Sequence, residues 1–228
     1  MITTEDLALI NRYSAQVKAD ASAIGLTLHY SSDPHSFVEF LGKQESTHGI
    51  SSAHNPELTD LRRKDFAWLC AKDEAGSGVF SHALVVVETE SFLEDIITHR
   101  LFGNIEVPDH WEDVELYDEA RERIAALDIR GRVALAGGMW VAPPWRHKGL
   151  PALLRKVLRV TQIPRLNWRH YVSQFQNTEK RTAWAMDDSW NTSVFPLLHG
   201  FYPAYGERKD IIMSHVTVEE TLAFLRET

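Results

Sequence analysis

The residues best suited to chemistry lie in one stretch, Arg132-Val-Ala-Leu-Ala-Gly-Gly-Met-Trp-Val-Ala-Pro-Pro-Trp-Arg-His-Lys-Gly-Leu-Pro151, which runs into Ala152-Leu-Leu-Arg-Lys-Val-Leu-Arg159. Gly137-Gly138 interrupts a strand pattern, and paired glycines there predict a β-bulge or a close approach of something to the backbone. A bulge would splay the strand from its neighbour, leaving N–H and C=O groups with which an amide-bearing ligand could pair as an added strand. Arg146-His-Lys-Gly-Leu then leads into a helix, so loop amides and the helix's free N–H groups make an anion cradle. Gly149 lets the backbone approach closely, while Arg146 and Lys148 add positive charge. The helical spacing turns Leu150, Leu153, Leu154, Val157 and Leu158 inward and Arg155, Lys156 and Arg159 outward beside the cradle. An extended ligand with an amide-rich arm and a pyrophosphate fits all three features. An ordinary strand–turn–helix with a basic turn is the plainer alternative.

The elements that must position this stretch can be read from periodicity and punctuation. Leu7, Ile10, Val17, Ala21 and Ile24 form a helical stripe closed by Gly25, and Leu26 to Ser31 reads as a short strand. Asp33-Pro34 starts a second helix as cap and first residue, and Thr47 to Asp60 is loop with one helical turn. Strands follow at Phe66–Lys72 and Val79–Glu88 around a turn at Asp73–Gly78. Helices are expected from Ser91 to near Gly103 and from Asp113 to Leu127, then a strand Arg132–Val141 and a helix Pro151–Thr161. Beyond it lie a strand Arg169–Gln176, a helix Thr178–Trp184, strands near Phe201–Tyr205 and Lys209–Val216, and a last helix with the capping box Thr217-Val-Glu-Glu220. The order is mixed α/β within one domain spanning 1–228, with no repeat.

Two hundred and twenty-eight residues, 44% apolar and 25% charged, describe an ordinary globular chain that buries roughly 70% of its unfolded surface without staples. The single cysteine, Cys70, excludes an intramolecular disulfide and a multi-cysteine metal cluster. No secretory signal and no membrane-spanning run is evident, so a cytoplasmic location without membrane attachment is expected. The net charge of −8 is unevenly distributed: residues 88–128 carry thirteen acids against three bases, and residues 130–181 carry eleven bases against one acid. Such neighbouring blocks suggest surfaces for different partners, or simply solvated faces that neutralise each other.

Between its strand and its amphipathic helix, the segment Val141-Ala-Pro-Pro-Trp-Arg146-His-Lys-Gly149-Leu-Pro151 resembles the acetyl-CoA-binding motif of the GNAT N-acetyltransferase superfamily, Arg/Gln-x-x-Gly-x-Gly/Ala. The resemblance implies a GNAT-like mixed, mostly antiparallel central sheet flanked by helices. It implies that the backbone around Met139 and Val141 pairs with pantetheine, and that the amides from His147 to Leu150 hold the pyrophosphate of acetyl-CoA or another short acyl-CoA. Arg146, Lys148, Gly149 and Pro151 belong to the same motif, and Asn177 and Gly200-Phe201 stand like the family's later landmarks. Pro151 departs from the pattern, because it has no N–H to donate, although proline is favoured at a first helical position. The acidic helical segment 91–128 has no counterpart in the minimal fold and is read as an insertion.

Direct transfer to an amine also needs a base and an acid. The family's usual tyrosine acid, four residues before the Gly-Phe pair, is replaced here by Pro196, so Tyr202 or Tyr205 would have to substitute. Glu88 is the candidate base, being nearest the expected sheet centre, with Glu90 and His170 as lesser choices. Cys70, between aromatic positions, reads as a buried inert thiol. The eleven histidines show no metal-binding spacing, so no metal is expected. The function expected is acyl-CoA-dependent N-acylation of a small amine, and a cationic one if the acidic insertion borders the acceptor site. A homodimer is left open. The competing readings are a GNAT-fold protein that binds CoA without chemistry and a nucleic-acid binder using the basic stretch with Trp145, Trp168, Tyr171 and Trp184.

Overall fold

The computed structural model describes residues 2–45, 47, 50–57, 63–99, 115–178, 190, 192–202 and 207–227. Helix α1 (Thr4–Ala23) begins with a capping box in which Thr3 Oγ1 accepts from the Asp6 amide and the Asp6 carboxylate accepts from the Thr3 amide. It ends where Gly25 turns left-handed at φ 75°. Ile10, Val17 and Ala21 are buried as the stripe requires, whereas Leu7 and Ile24, assigned to the same stripe, are exposed at its two ends. Strand β1 (Thr27–Ser31) leads to α2 (Pro34–Gly42), whose cap Asp33 accepts from the amides of His35 and Ser36. A 3-10 turn, Ser52–His54, follows.

Strands β2 (Arg63–Lys72) and β3 (Gly78–Thr89) form a hairpin around Asp73, whose carboxylate accepts from the Ala75 and Ser77 amides. The acidic segment contributes α3 (Phe92–His99), a two-residue strand β4 (Glu115–Leu116) and α4 (Asp118–Leu127). Strand β5 (Gly131–Val141) precedes three short helices, α5 (Leu150–Leu154), α6 (Val157–Thr161) and α7 (Ile163–Leu166). Strands β6 (His170–Gln176), β7 (Ser193–Tyr202) and β8 (Glu207–Thr217) and helix α8 (Val218–Glu227) are the remaining elements among the described residues. Thr217 and Glu220 make the expected capping box of α8. The expected helix Thr178–Trp184 beyond its first residue, the end of the helix reaching Gly103, and Tyr205 lie outside the described residues.

The eight strands form one sheet in the order β1-β2-β3-β5-β6-β8-β7-β4, mixed and mostly antiparallel, with β5 and β6 as its parallel pair. Directly paired side chains share a face. On one face, α2 and the 3-10 turn cover the row Phe66, Trp68, Ala83 and Val85, with the Phe37 ring 5.6 Å from Phe66 and 5.7 Å from Trp68. On the other, α6 and α7 cover Tyr171 and the start of β5, and α1 packs outside α6. β3 is buried almost throughout and forms the spine of the core. No helix among the described residues is long and apolar enough to cross a membrane.

Two expectations are corrected. The helix expected over 151–161 is interrupted: Arg155 and Lys156 keep right-handed helical backbone angles but separate α5 from α6. Arg159, expected to face outward, is 3% exposed over the rings of Tyr171 and Trp190, because α1 packs outside α6 and the whole run Val157–Val160 is buried. The strand expected near Phe201 in fact begins at Ser193 and contains Pro196. Pro196 sits at a shift in the β7–β8 register, where a missing N–H is tolerated.

Candidate functional site

The site is built where β5 leaves β6. Ladder pairing runs from Val133–His170 to Ala136–Ser173 and stops, while β6 continues with β8 as far as Gln176–Ile211. The cause lies on the other side of β5. Between the pairs Ala83–Gly137 and Ser81–Trp140, β3 has one residue, His82, and β5 has two, Gly138 and Met139. This is the bulge that Gly137-Gly138 predicts, with Gly138 at φ 57° and its carbonyl accepting from Ser81 Oγ at 2.8 Å. Met139, in an interior strand, is 45% exposed, so its face of the sheet is uncovered at this point.

The close approach that the glycines allow comes from the protein itself. A Cβ on Gly137 would collide with the His54 ring and one on Gly138 with the Phe37 ring. His54 is 3% exposed; its Nε2–H donates to the Leu135 carbonyl at 3.1 Å, so Nδ1 accepts from Ser51 Oγ at 2.7 Å in the neutral tautomer. Trp140 is held away from the opening on the covered face, its Nε1–H donating to the Glu45 carbonyl at 3.1 Å and its ring edge-on to Phe40. His82 is buried, has no hydrogen-bond partner at Nδ1, and is pushed by desolvation down to about 3. Gln174, the first β6 residue past the end of the β5 ladder, likewise has a buried Oε1 without a partner.

Beyond Val141 the chain makes a 3-10 turn, Pro143–Trp145, and enters the cradle. His147 has φ 64°, an uncommon left-handed conformation for a side-chain-bearing residue, and Gly149 has φ 78°. These two left-handed residues curl the amides of His147, Lys148, Gly149 and Leu150 into a concave nest, and none of the four donates to a protein acceptor among the described residues. Space above Gly149 is open. Arg146 Nε donates to the Val141 carbonyl at 3.1 Å, tying the turn to the strand end, and Lys148 Nζ lies 4.7 Å from the Trp145 ring centre. Pro151 occupies the first turn of α5, and the Gly149 carbonyl accepts from Leu153. With only five residues in α5, the loop amides rather than a long helix dipole would hold an anion.

Met139, Val141, Arg146, His147, Lys148, Gly149, Leu150 and Pro151 therefore lie along one path from the opening to the nest. Asn177 stands at the far wall of the opening, just past β6, its amide donating to the Asp210 carbonyl at 2.7 Å. Glu88 does not join them. It pairs with Arg132 at the start of β5, five residues along the strand from the Ala83–Gly137 pair, or roughly 17 Å at strand spacing. The side chain of Tyr202 lies outside the described ones. His170 is also remote, buried at the start of β6 with its Nδ1 3.0 Å from His215 Nε2, and burial lowers the pKa of both. Cys70 is buried, and desolvation raises its thiol to about 11. Among the described residues, no three side chains are grouped to hold a metal. Sequence reasoning does not single out Ser51 and His54, because a loop Ser-x-x-His is a weak signal without its partner strand 81 residues away.

No protein-family model matches the chain, and neither does the sequence of any curated protein. Solved structures with a similar path exist. One is Arabidopsis thaliana NAA60 in complex with acetyl-CoA, at 12% identity and TM-score 0.48 over 85% of this chain and 99% of that one. Another is a variant of the spermidine N-acetyltransferase SpeG from Vibrio cholerae, at 12% identity and TM-score 0.48 over 90% of this chain and 99% of that one.

Proposed function

We propose that the protein is an acyl-CoA-dependent N-acyltransferase, using acetyl-CoA or another short acyl-CoA to modify a small amine by direct transfer. The observation that carries this reading is the parting of β5 from β6 at Ala136–Ser173, on a strand that leads through one 3-10 turn to four amides, His147–Leu150, without a protein acceptor among the described residues. An extended thioester with amides along its arm and a pyrophosphate at its end matches both: the arm as a strand against β5, the pyrophosphate in the nest beside Arg146 and Lys148. The bulge also leaves β5 amides near the thioester carbonyl, where an oxyanion would form. Trp140, locked on the covered face, does not restrict the acyl group from within the opening.

The nucleic-acid reading loses two of its four aromatic residues, while Trp184 lies outside the described residues. Trp168 and Tyr171 are buried, Arg159 is inside, and Arg132 is paired with Asp65 at 2.5 Å and with the Leu166 carbonyl, so these residues offer no stacking platform. A CoA-binding protein without chemistry remains the second reading, favoured by Pro196 standing where the family's tyrosine would be.

The test is thermal unfolding with CoA, acetyl-CoA and longer acyl-CoAs, for the wild type and Gly149→Glu. Ligand at about 100 times its Kd adds about 2.7 kcal/mol, a Tm rise of roughly 5–10 °C for a chain this size. The rise is expected in the wild type and absent in the variant, and turnover of acetyl-CoA with amines separates the two CoA readings. No shift with any CoA would remove both.

A further inference from the structure

The acyl-transfer reading leaves the base unassigned, since Glu88 lies at the wrong end of its strand. Resting on that reading, we propose that Ser51 and His54 form a proton relay that deprotonates the acceptor ammonium, Ser51 being the group that touches the amine and His54 the base behind it. Three observations carry this. The His54 ring lies against Gly137, the residue at which the β5–β6 ladder has just ended, so the relay opens where an acyl carbonyl on β5 would be attacked. Its tautomer is fixed, because the Leu135 carbonyl can only accept and therefore holds the proton on Nε2. Nδ1 is thereby a lone-pair acceptor, aimed at the hydroxyl of Ser51, which is partly exposed where His54 is buried.

The protons balance without a cofactor. One ammonium N–H bond breaks and its electron pair stays on nitrogen; that proton goes to Ser51 Oγ as the original hydroxyl proton passes to His54 Nδ1. The imidazolium so formed keeps its Nε2–H on the Leu135 carbonyl. The free amine attacks the acyl carbon, the C–S bond breaks, and the thiolate leaves with a second proton lost from the same nitrogen. His54 then releases its proton to solvent through Ser51. Among the described residues, His82 is electrostatically coupled to His54, and burial keeps it neutral through the working range, so His82 does not oppose the charge as an imidazolium.

The test uses the full chain, acetyl-CoA and two small aromatic amines: benzylamine, an ammonium at neutral pH, and aniline, already free base there. His54→Gln keeps a donor for Leu135 and an acceptor for Ser51 but cannot take a proton. The expected result is a loss of about 100-fold or more in kcat/KM for benzylamine, as for removal of a general base, with the acid limb of the pH profile abolished. Aniline should lose less than about threefold, and the acetyl-CoA Kd should be unchanged, in the same comparison. Ser51→Ala, less exposed to folding failure, should show the same split between the amines. Equal losses for both amines, or a benzylamine profile like the wild type's, would overturn the relay while leaving cofactor binding intact. So would a wild type that binds acetyl-CoA and acetylates neither amine, since a relay acting on the nitrogen alone serves any small amine. Failure of the wild type to bind acetyl-CoA would instead remove the acyl-transfer reading beneath it.

Discussion

The imidazole of His54 lies over Gly137 so closely that no side chain could stand between them. A loop on one face of the sheet is thereby keyed to the bulge that opens β5, and the key is the absence of a Cβ. Gly137→Ala must push His54 off Leu135, and overpacking of this kind costs about 1–3 kcal/mol. Gly138→Ala meets both the Phe37 ring and a φ of 57°, so its loss should be the larger of the two. Urea unfolding midpoints check this order. Two variants as stable as the wild type would show that the loop does not rest on the bulge.

The bulge is legible in the sequence because two adjacent glycines weaken a strand unless its backbone bends or is closely approached there. What fills the space they leave is not legible. His54 and Phe37 arrive from segments 81 or more residues away, and no local pattern announces them. The misplacement of Glu88 has a similar cause. The C-terminal end of β3 lies beside the N-terminal end of β5 once the two run antiparallel, which moves Glu88 away from a nest at the other end of β5. The helical period alone turns Arg159 outward, and its burial comes from α1 and Trp190, which cover that side of α6 and which no local pattern announces. The caps at Thr217, Asp33 and Gly25 are legible because each depends on its immediate neighbours.

Gly149 differs from Gly137 in having open space around it, so its replacement should separate binding from stability. Gly149→Ala meets no atom but must hold φ 78°, which costs a non-glycine residue about 1–2 kcal/mol. Relaxation of that strain should turn the nest amides away. A drop in Tm of a few degrees, together with a much larger loss of acetyl-CoA affinity by calorimetry, is expected. Affinity falling no more than stability would mean the nest amides do not hold the ligand.

Burial lowers three histidines, His82 to about 3, His215 to about 4, and His170 in direction. A histidine with a depressed folded pKa stays neutral in the fold while the unfolded chain binds a proton. Stability is therefore full above the unfolded value of about 6.5 and falls as pH drops toward the folded values. Each such group contributes a slope of up to about 1.4 kcal/mol per pH unit across that window. The lowered carboxylates Asp6 and Glu220 add their own losses only below about 4. His82→Leu removes one proton from the unfolded chain's uptake and an unpartnered nitrogen from the core. The variant should be at least as stable as the wild type near neutrality and should lose less between pH 6 and 4. Parallel stability curves for the two proteins over that range would show that His82 is not held neutral by the fold.

The acidic segment is tied to the site's far wall through one residue. Tyr117, at the entry to α4, donates from Oη to Asp210 at 2.7 Å, β4 pairs with β7 at Glu115–His199, and the Asp210 carbonyl accepts from Asn177 at the end of β6. Glu115, Asp118, Glu119 and Glu122 are exposed on this anchored piece, so their field reaches the opening if the acceptor enters beside Asn177. Raising ionic strength from about 0.01 to about 0.1 M shortens the screening length from about 30 to about 10 Å. The KM of a diamine should then rise by about threefold or more while that of a neutral amine of similar size stays level. Glu119→Gln with Glu122→Gln should weaken the same salt response. A diamine KM that is flat with salt, or that rises no more than the neutral amine's, would leave the acidic face a solvated cover with no part in choosing the substrate.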